Sequence, residues 1–273
     1  MGVEYCLKLY NYCGNFYTCL LCGNKKLKVP NCTSSLVSVR IGLLYISPIV
    51  FFGNPIQGRD YDIIFITIDH LIFGGDPTIW MFQFSHPIIT ELLQIAYFSY
   101  YFLIIIVGLE VMLRKTVNDM DYTAFIIAYG FLLSYVGYLT LPAVGPRFTL
   151  HDFHHLSQEL PGLLFTEPMR AFLNAAENTS YTVVNPAATV HRNVFPSGHT
   201  EITLILVYLC YRYALKVKTG VIITVALLII ATVYLRYHYV IDLVAGAATA
   251  LFAIVTAEWI YGGWISIKKK YES

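Results

Sequence analysis

Long apolar runs, broken by short polar and charged stretches, dominate this sequence. A hydrocarbon core roughly 30 Å thick needs about 20 apolar residues at 1.5 Å rise each. By that measure six segments predict transmembrane helices: 36–52, 92–109, 122–141, 197–215, 220–235 and 243–257. Those at 92–109, 122–141 and 220–235 are the clearest. The segment at 36–52 carries Arg40, the one at 197–215 holds Glu201 and Arg212 toward its ends, and the last runs on through Glu258 into Trp259, Tyr261 and Trp264, an interfacial aromatic belt. Residues 61–82 mix Ile, Phe and Leu with Asp62, Asp69, His70 and Asp76 around Gly74-Gly75, which predicts helix lying at the outer interface and roofing the bundle. The expected fold is therefore all-α: a polytopic membrane bundle of about six transmembrane helices with an outer interfacial helix.

Positive charge orients it. Lys25, Lys26, Lys28 and Arg40 precede the first span, Arg114 and Lys115 follow the second, Arg212, Lys216 and Lys218 separate the fourth from the fifth, and Lys268, Lys269 and Lys270 close the chain. All four clusters fall on one side of a six-span topology, which puts both termini in the cytoplasm and residues 143–196 outside. That segment, about 50 residues long and rich in Pro, Gly, Asn and Thr, is of the length at which a connection is usually functional or disordered. Three parts are expected: a cytosolic cysteine-containing segment at 1–34, a membrane domain at 35–267 and a basic cytosolic tail at 268–273. Residues 1–31 lack the continuous apolar run of a signal peptide.

Composition agrees with a membrane protein and narrows its partners. Of the 273 residues, 57% are hydrophobic and only 13% charged, with a mean hydropathy of +0.60, more apolar surface than one soluble core of this length hides. The formal net charge of +1 offers no basic excess for nucleic acid. Cys6, Cys13, Cys19, Cys22 and Cys32 crowd the N-terminus, but a single Cys-x-x-Cys pair is a weak zinc signal and cytosolic thiols are expected reduced.

Ionisable groups at span ends are costly and therefore the first places to look for function. Three such groups share the outer face: Leu141-Pro142-Ala143-Val144-Gly145-Pro146-Arg147-Phe148 after the third span, Phe195-Pro196-Ser197-Gly198-His199-Thr200 before the fourth, and Tyr234 to Asp242 between the fifth and sixth. With Pro196 in a first turn, Ser197, Gly198 and His199 open a helix whose free N–H groups point at an anion, and Gly198 permits close approach. Arg147 and Arg236 supply planar donor forks that match phosphate oxygens. His238 and Asp242, four apart, share a helical face if the sixth span starts near residue 237. A carboxylate on one ring nitrogen makes the other a better nucleophile or base, and His199, from another span, is placed to act as general acid. His70 and His86 are expected to be hydrogen-bonding residues only. His151, His154 and His155 with Asp152 read as exposed loop polarity rather than a metal cluster. Glu201 lies one turn below the cradle, where it tunes the site or lines the bundle.

Gly-Pro-Arg, then Pro-Ser-Gly-His, then His-x-x-x-Asp, each at a span end, resembles the three-part signature of the type 2 phosphatidic acid phosphatase superfamily. Tyr-Leu-Arg-Tyr-His-Tyr-x-x-Asp and Pro-Ala-Val-Gly-Pro-Arg-Phe are most similar to the branch that includes inositol phosphorylceramide synthases, and the similarity extends upstream through Gly75-Asp76-Pro77, His86-Pro87 and residues 97–102. The resemblance implies a membrane lipid phosphatase or phosphotransferase that needs no metal or other cofactor. Its substrate would be a lipid phosphate or phospholipid, with an acceptor alcohol if the reaction is transfer. By position, His238 would attack phosphorus, Asp242 would orient it, and His199 would protonate the leaving alcohol. Arg147, Ser197, Gly198 and Arg236 would hold the phosphoryl oxygens. Two positions depart from the family: Thr140 where a Lys is usual seven residues before the first-motif Arg, and Thr232 where an Arg is usual six before the nucleophilic His. Arg236 would stand in for the second, and the missing cations imply either a different phosphate head group or compensation by Arg192. Two other readings remain open at this stage. One is a transporter using His238, Asp242 and Glu201 as an intramembrane relay, which calls for midplane charges and repeated halves that the sequence lacks. The other is a lipid-phosphate-binding protein without catalysis.

Overall fold

The computed structural model describes residues 59–272, and every regular element among them is helical. The longer helices are α1 (Asp62–Phe73), α2 (Pro77–Phe82), α3 (Pro87–Phe98), α4 (Tyr100–Arg114), α5 (Val117–Thr140), α6 (Thr166–Ala176), α7 (Gly198–Arg212), α8 (Lys218–Tyr234) and α9 (Val240–Glu272). Single turns at Pro146–Thr149, Phe153–His155, Leu156–Glu159 and Pro186–Thr189 punctuate the connections. The expected span at 36–52 and the cysteine-rich segment lie outside the described residues.

Among the described residues two helices, Val117–Thr140 and Val240–Ser266, are long and apolar enough to cross a membrane, and α3 with α4 makes a third if that pair, bent by 46°, is one span. Helix α8 is apolar but shorter. The sequence predicts one uninterrupted helix over 92–109, whereas the chain breaks at Ser99. The Ser99 hydroxyl donates to the Ala96 carbonyl at 2.6 Å, the kind of side-chain competition with the helix ladder that bends helices.

The interfacial segment forms two helices rather than one. Gly74, at φ 73°, closes α1 in the left-handed region that only glycine adopts without penalty, and Pro77 starts α2. Asp62, Phe65 and Asp69 form the buried face of α1, spaced three and four apart as one helical stripe requires. Ile63, Ile64, Leu71 and Ile72 are exposed on its other side.

Helix α7 is the centre of the bundle, touching α4, α5, α8 and α9. Its Ile202, Ile205, Leu206, Leu209 and Cys210 are fully buried. Among lipid-facing helices such burial stabilises through close packing rather than removal from water, so small residues at the contacts matter most. On α9 they are Gly246, Ala250, Ala253 and Ala257, spaced to share one face; the three alanines are buried. A methyl group at Gly246 would stand 2.5 Å from the Ser197 carbonyl oxygen. Gly246→Ala is therefore expected to cost about 1–3 kcal/mol, read as a lowered Tm in detergent micelles. An unchanged Tm would show that α7 and α9 are not held backbone to backbone.

Candidate active site

The first site segment begins where α5 ends at Thr140, one residue before Leu141-Pro142. Its turn is held from outside: the Asp62 carboxylate on α1 accepts the N–H of Val144 at 3.1 Å and of Gly145 at 2.8 Å, and the Tyr239 hydroxyl at 2.7 Å. Gly145, at φ 93°, lies within 3.0 Å of the Tyr237 carbonyl if given a Cβ, so both its conformation and its surroundings require glycine. Arg147 follows, only 5% exposed. Its guanidinium lies 4.6 Å from the centre of the Phe148 ring and 4.7 Å from that of Tyr237, and Nη1 donates to Asn174 Oδ1 on α6 at 3.1 Å. Its backbone N–H donates to the Arg236 carbonyl at 3.1 Å, tying the first segment to the third.

The second segment opens α7. Ser197 is the N-cap, its hydroxyl oxygen accepting the Thr200 N–H. Pro196 consequently stands before the cap instead of in the first turn, because the serine side chain takes over the helix start. Gly198 is packed against Tyr138, whose hydroxyl would be 2.5 Å from any Cβ there. His199 is clasped between Tyr97 and Tyr100, at centroid distances of 4.5 and 4.4 Å. The two tyrosines, three apart on either side of the bend at Ser99, meet the same imidazole.

The third segment begins as α8 ends. The N–H groups of Arg236 and Tyr237 return to the carbonyls of Val233 and Thr232, a Schellman closure whose left-handed residue is normally glycine. Here it is Arg236, at φ 66°, a conformation that costs a non-glycine residue about 1–2 kcal/mol. The next residues turn His238 inward, 4% exposed, before α9 starts at Val240. His238 thus lies ahead of the helix rather than on its face, since the closure of α8 uses the residues that would have formed the extra turn. Asp242 still reaches it: Oδ2 lies 3.3 Å from His238 Nδ1 and accepts the Tyr239 N–H at 2.9 Å. Its backbone carbonyl accepts the Ser197 N–H at 3.0 Å, which joins the second and third segments.

A second carboxylate from α1 holds this junction. Asp69 accepts the N–H of Val240 at 2.8 Å and of Ile241 at 3.0 Å, capping α9 at its positive end. Asp69→Asn leaves one acceptor for two donors and presents an amide N–H to the other. Because a hydrogen bond to a charged group is worth about 1.5–3 kcal/mol, turnover is expected to fall on the order of tenfold as the His238–Asp242 junction loosens. Unchanged turnover in a well-expressed variant would remove α1 from the support of the site.

The three segments that the sequence singles out do meet. The rings of His199 and His238 are 5.9 Å apart between centroids and nearly perpendicular, and Tyr97, stacked on His199, also stacks on Tyr237 at 4.4 Å. Burial drives His238 well below the usual histidine pKa, with His199 and Arg147 adding to the effect. It is therefore an unprotonated ring with a lone pair to offer. The buried Nε2 of His199 and Oδ1 of Asp242 have no hydrogen-bond partner within the protein. Buried polar atoms left open in this way are unusual and are found at sites of function.

Other residues go elsewhere. The Arg236 guanidinium pairs with Glu159 and lies 5.4 Å from the Phe82 ring centre, turned toward the roof. It acts on His151, whose pKa is lowered to about 4 by burial and then by Arg236. Arg192 is bonded to Asp60 and to the Val190 carbonyl. Thr140 bonds back to its own helix at Val136, and the Thr232 carbonyl anchors Tyr237 and His238. Arg147 is thus the arginine whose charge reaches His238. His70 pairs with Asp76 at 2.7 Å, and His86 caps α3 by accepting the Ile88 N–H. His151 bonds Thr78, His154 the Tyr181 carbonyl and His155 Asp152, so these histidines diverge. No group of three or more His, Cys, Asp and Glu side chains among the described residues is arranged to hold a metal ion. Glu201, fully buried, accepts from Ser134 on α5 below the Gly198 turn.

The sequence reading missed Asp62 and Asp69 as supports, the tyrosine clasp of His199, Asn174 on Arg147, and Gln94, fully buried beside Tyr237. One signal was present: two aspartates seven apart on a mostly apolar helix, too costly to bury without partners.

Among the described residues the chain is helical, carries helices apolar enough to cross a membrane, and sets two histidines near each other with a buried arginine whose charge reaches His238. The family model of the PAP2 superfamily matches residues 66–256, and the chain belongs to that superfamily. No curated protein and no solved structure matches it.

Proposed function

We propose that the chain is an integral membrane lipid phosphatase or phosphotransferase working through a phosphohistidine at His238. The observation that carries this reading is the approach of two imidazoles from different segments, His199 in α7 and His238 in the turn before α9, at 5.9 Å, with Arg147 acting on His238. A ring nitrogen of His238 forms a bond to phosphorus as the bond from phosphorus to the leaving alcohol oxygen breaks, and His199 gives that oxygen its proton. Water or an acceptor alcohol then attacks phosphorus and returns a proton to His199, and the phosphorus–nitrogen bond breaks. Asp242 orients His238. Arg147 holds phosphoryl oxygens together with the Gly198 N–H at the start of α7, while the Ser197 N–H stays on the Asp242 carbonyl and holds that turn in place. Arg236 joins them if it leaves Glu159. In this reading six spans place both termini in the cytoplasm and the site on the extracytoplasmic face, with the membrane domain over 35–267 between the segments at 1–34 and 268–273. The Tyr-Leu-Arg-Tyr-His-Tyr stretch favours the inositol phosphorylceramide synthase-like branch, hence transfer of a phospholipid head group.

The test is a product assay on purified full-length protein with a panel of lipid phosphates and phospholipids, with and without acceptor alcohols, followed by rapid quenching to isolate labelled enzyme. Turnover of at least one lipid with acid-labile, base-stable label is expected. Binding of a lipid phosphate with no product from any of them would favour a protein without catalysis and overturn the proposal.

A further inference from the structure

The connection between α5 and α7 holds an apolar tip whose depth is fixed by a side chain on another helix. Glu91 lies in α3, five residues into the bent pair that is a candidate span. Its carboxylate, 8% exposed, accepts the N–H of Leu163 at 2.8 Å, Leu164 at 3.2 Å, Phe165 at 2.6 Å and Thr166 at 3.2 Å. It also accepts the Thr166 hydroxyl at 2.6 Å. Four backbone donors that would otherwise need water are thereby satisfied internally, the condition for irregular backbone at membrane depth. The side chains above them point away from the protein: Leu163, Leu164 and Phe165 are 61%, 77% and 55% exposed. Residues 160–166 carry no charge. This patch continues into exposed Phe172 on α6, whose ring meets Phe98 and Tyr101 edge-on at 5.4 and 6.1 Å, and into exposed Leu92 and Ile95 on α3. The tip is thus joined by exposed apolar side chains of α3 and α6, with exposed Glu167 between Phe165 and Phe172.

We infer that residues 163–165 form a wedge inserted in the bilayer beside α3, held there by the Glu91 carboxylate. The partner is the acyl region of the adjacent lipid leaflet. The segment at 143–196, expected to lie outside the membrane, thus has a foot in it, and α6 with Asn174 is anchored to the lipid that surrounds the site. The inference rests on membrane residence and stands apart from the catalytic reading.

The experiment uses the full chain in phosphatidylcholine vesicles, with Leu164→Cys or, as an exposed polar reference in the same connection, Thr182→Cys, labelled with an environment-sensitive fluorophore. The unsubstituted chain labelled in parallel gives the background. With lipids brominated along the acyl chain, fluorescence from position 164 is expected to be quenched at least about twofold more than from position 182. Adding Glu91→Gln, which removes the charge that gathers the four N–H groups, is expected to lower that quenching toward the reference. Equal quenching at 164 and 182 overturns the wedge, and a Glu91→Gln protein that quenches as before overturns the role of the carboxylate.

Discussion

His238→Ala is expected to abolish turnover of every lipid that the unsubstituted protein processes, by at least about 10³-fold. The nucleophile is the one group whose removal leaves no bond to form in the first step, and His238, 4% exposed, faces His199 from between Tyr237 and Tyr239. Folding survives in this variant, because the backbone of residue 238 keeps its bond to the Thr232 carbonyl. Retained turnover, or retained acid-labile label, would overturn the mechanism. The unsubstituted protein carries a linked expectation. Only the unprotonated ring attacks, and burial holds His238 well below the ordinary 6.5. The acid limb of kcat/KM, which reports the free enzyme, is therefore expected below pH 6.5. A limb centred above that value would assign it to another group.

Arg147→Lys is expected to lower kcat/KM by about 10²-fold, a larger loss than exchange of one cation for another implies. The guanidinium is flat, and its flatness is used: it lies between the rings of Phe148 and Tyr237 at 4.6 and 4.7 Å while Nη1 is bonded to Asn174. An ammonium keeps the charge but loses the planar contact and the paired donors that fit phosphate oxygens. Steady-state kinetics with the best lipid from the panel, at matched folding by Tm, measure it. A change under about threefold would mean that Arg147 anchors the loop and does not touch phosphate.

The helical class and the convergence of the three segments were legible because both rest on patterns with physical periods: apolar length against bilayer thickness, and charged groups at the ends of apolar runs. Less legible was everything that depends on a partner far along the chain. Glu91, Glu110, Asp62 and Asp69 each hold backbone N–H groups at the start of another element, and a backbone N–H has no letter in the sequence. The span at 92–109 was legible as apolar but not as broken, since Ser99 reads like any other small polar residue until the tyrosines on either side are seen on His199. The placement of Arg236 was hidden for a related reason. Its left-handed backbone turns successive side chains apart, sending His238 to His199 and Arg236 to Glu159.

The aspartates of α1 have a consequence for how the protein is made. Asp62 waits for a partner 83 residues later in Gly145, and Asp69 for one 171 residues later in Val240. At roughly 5–20 residues per second, the ribosome needs about 9–34 s to supply the second of these. Until Gly145 arrives α1 carries two unpartnered carboxylates, and until Val240 arrives it still carries one, so its apolar face cannot sink into the bilayer without burying bare charge. The helix is thus kept at the water boundary by its own sequence until Val240 has been made, and the turn that carries His238 toward Asp242 closes no earlier.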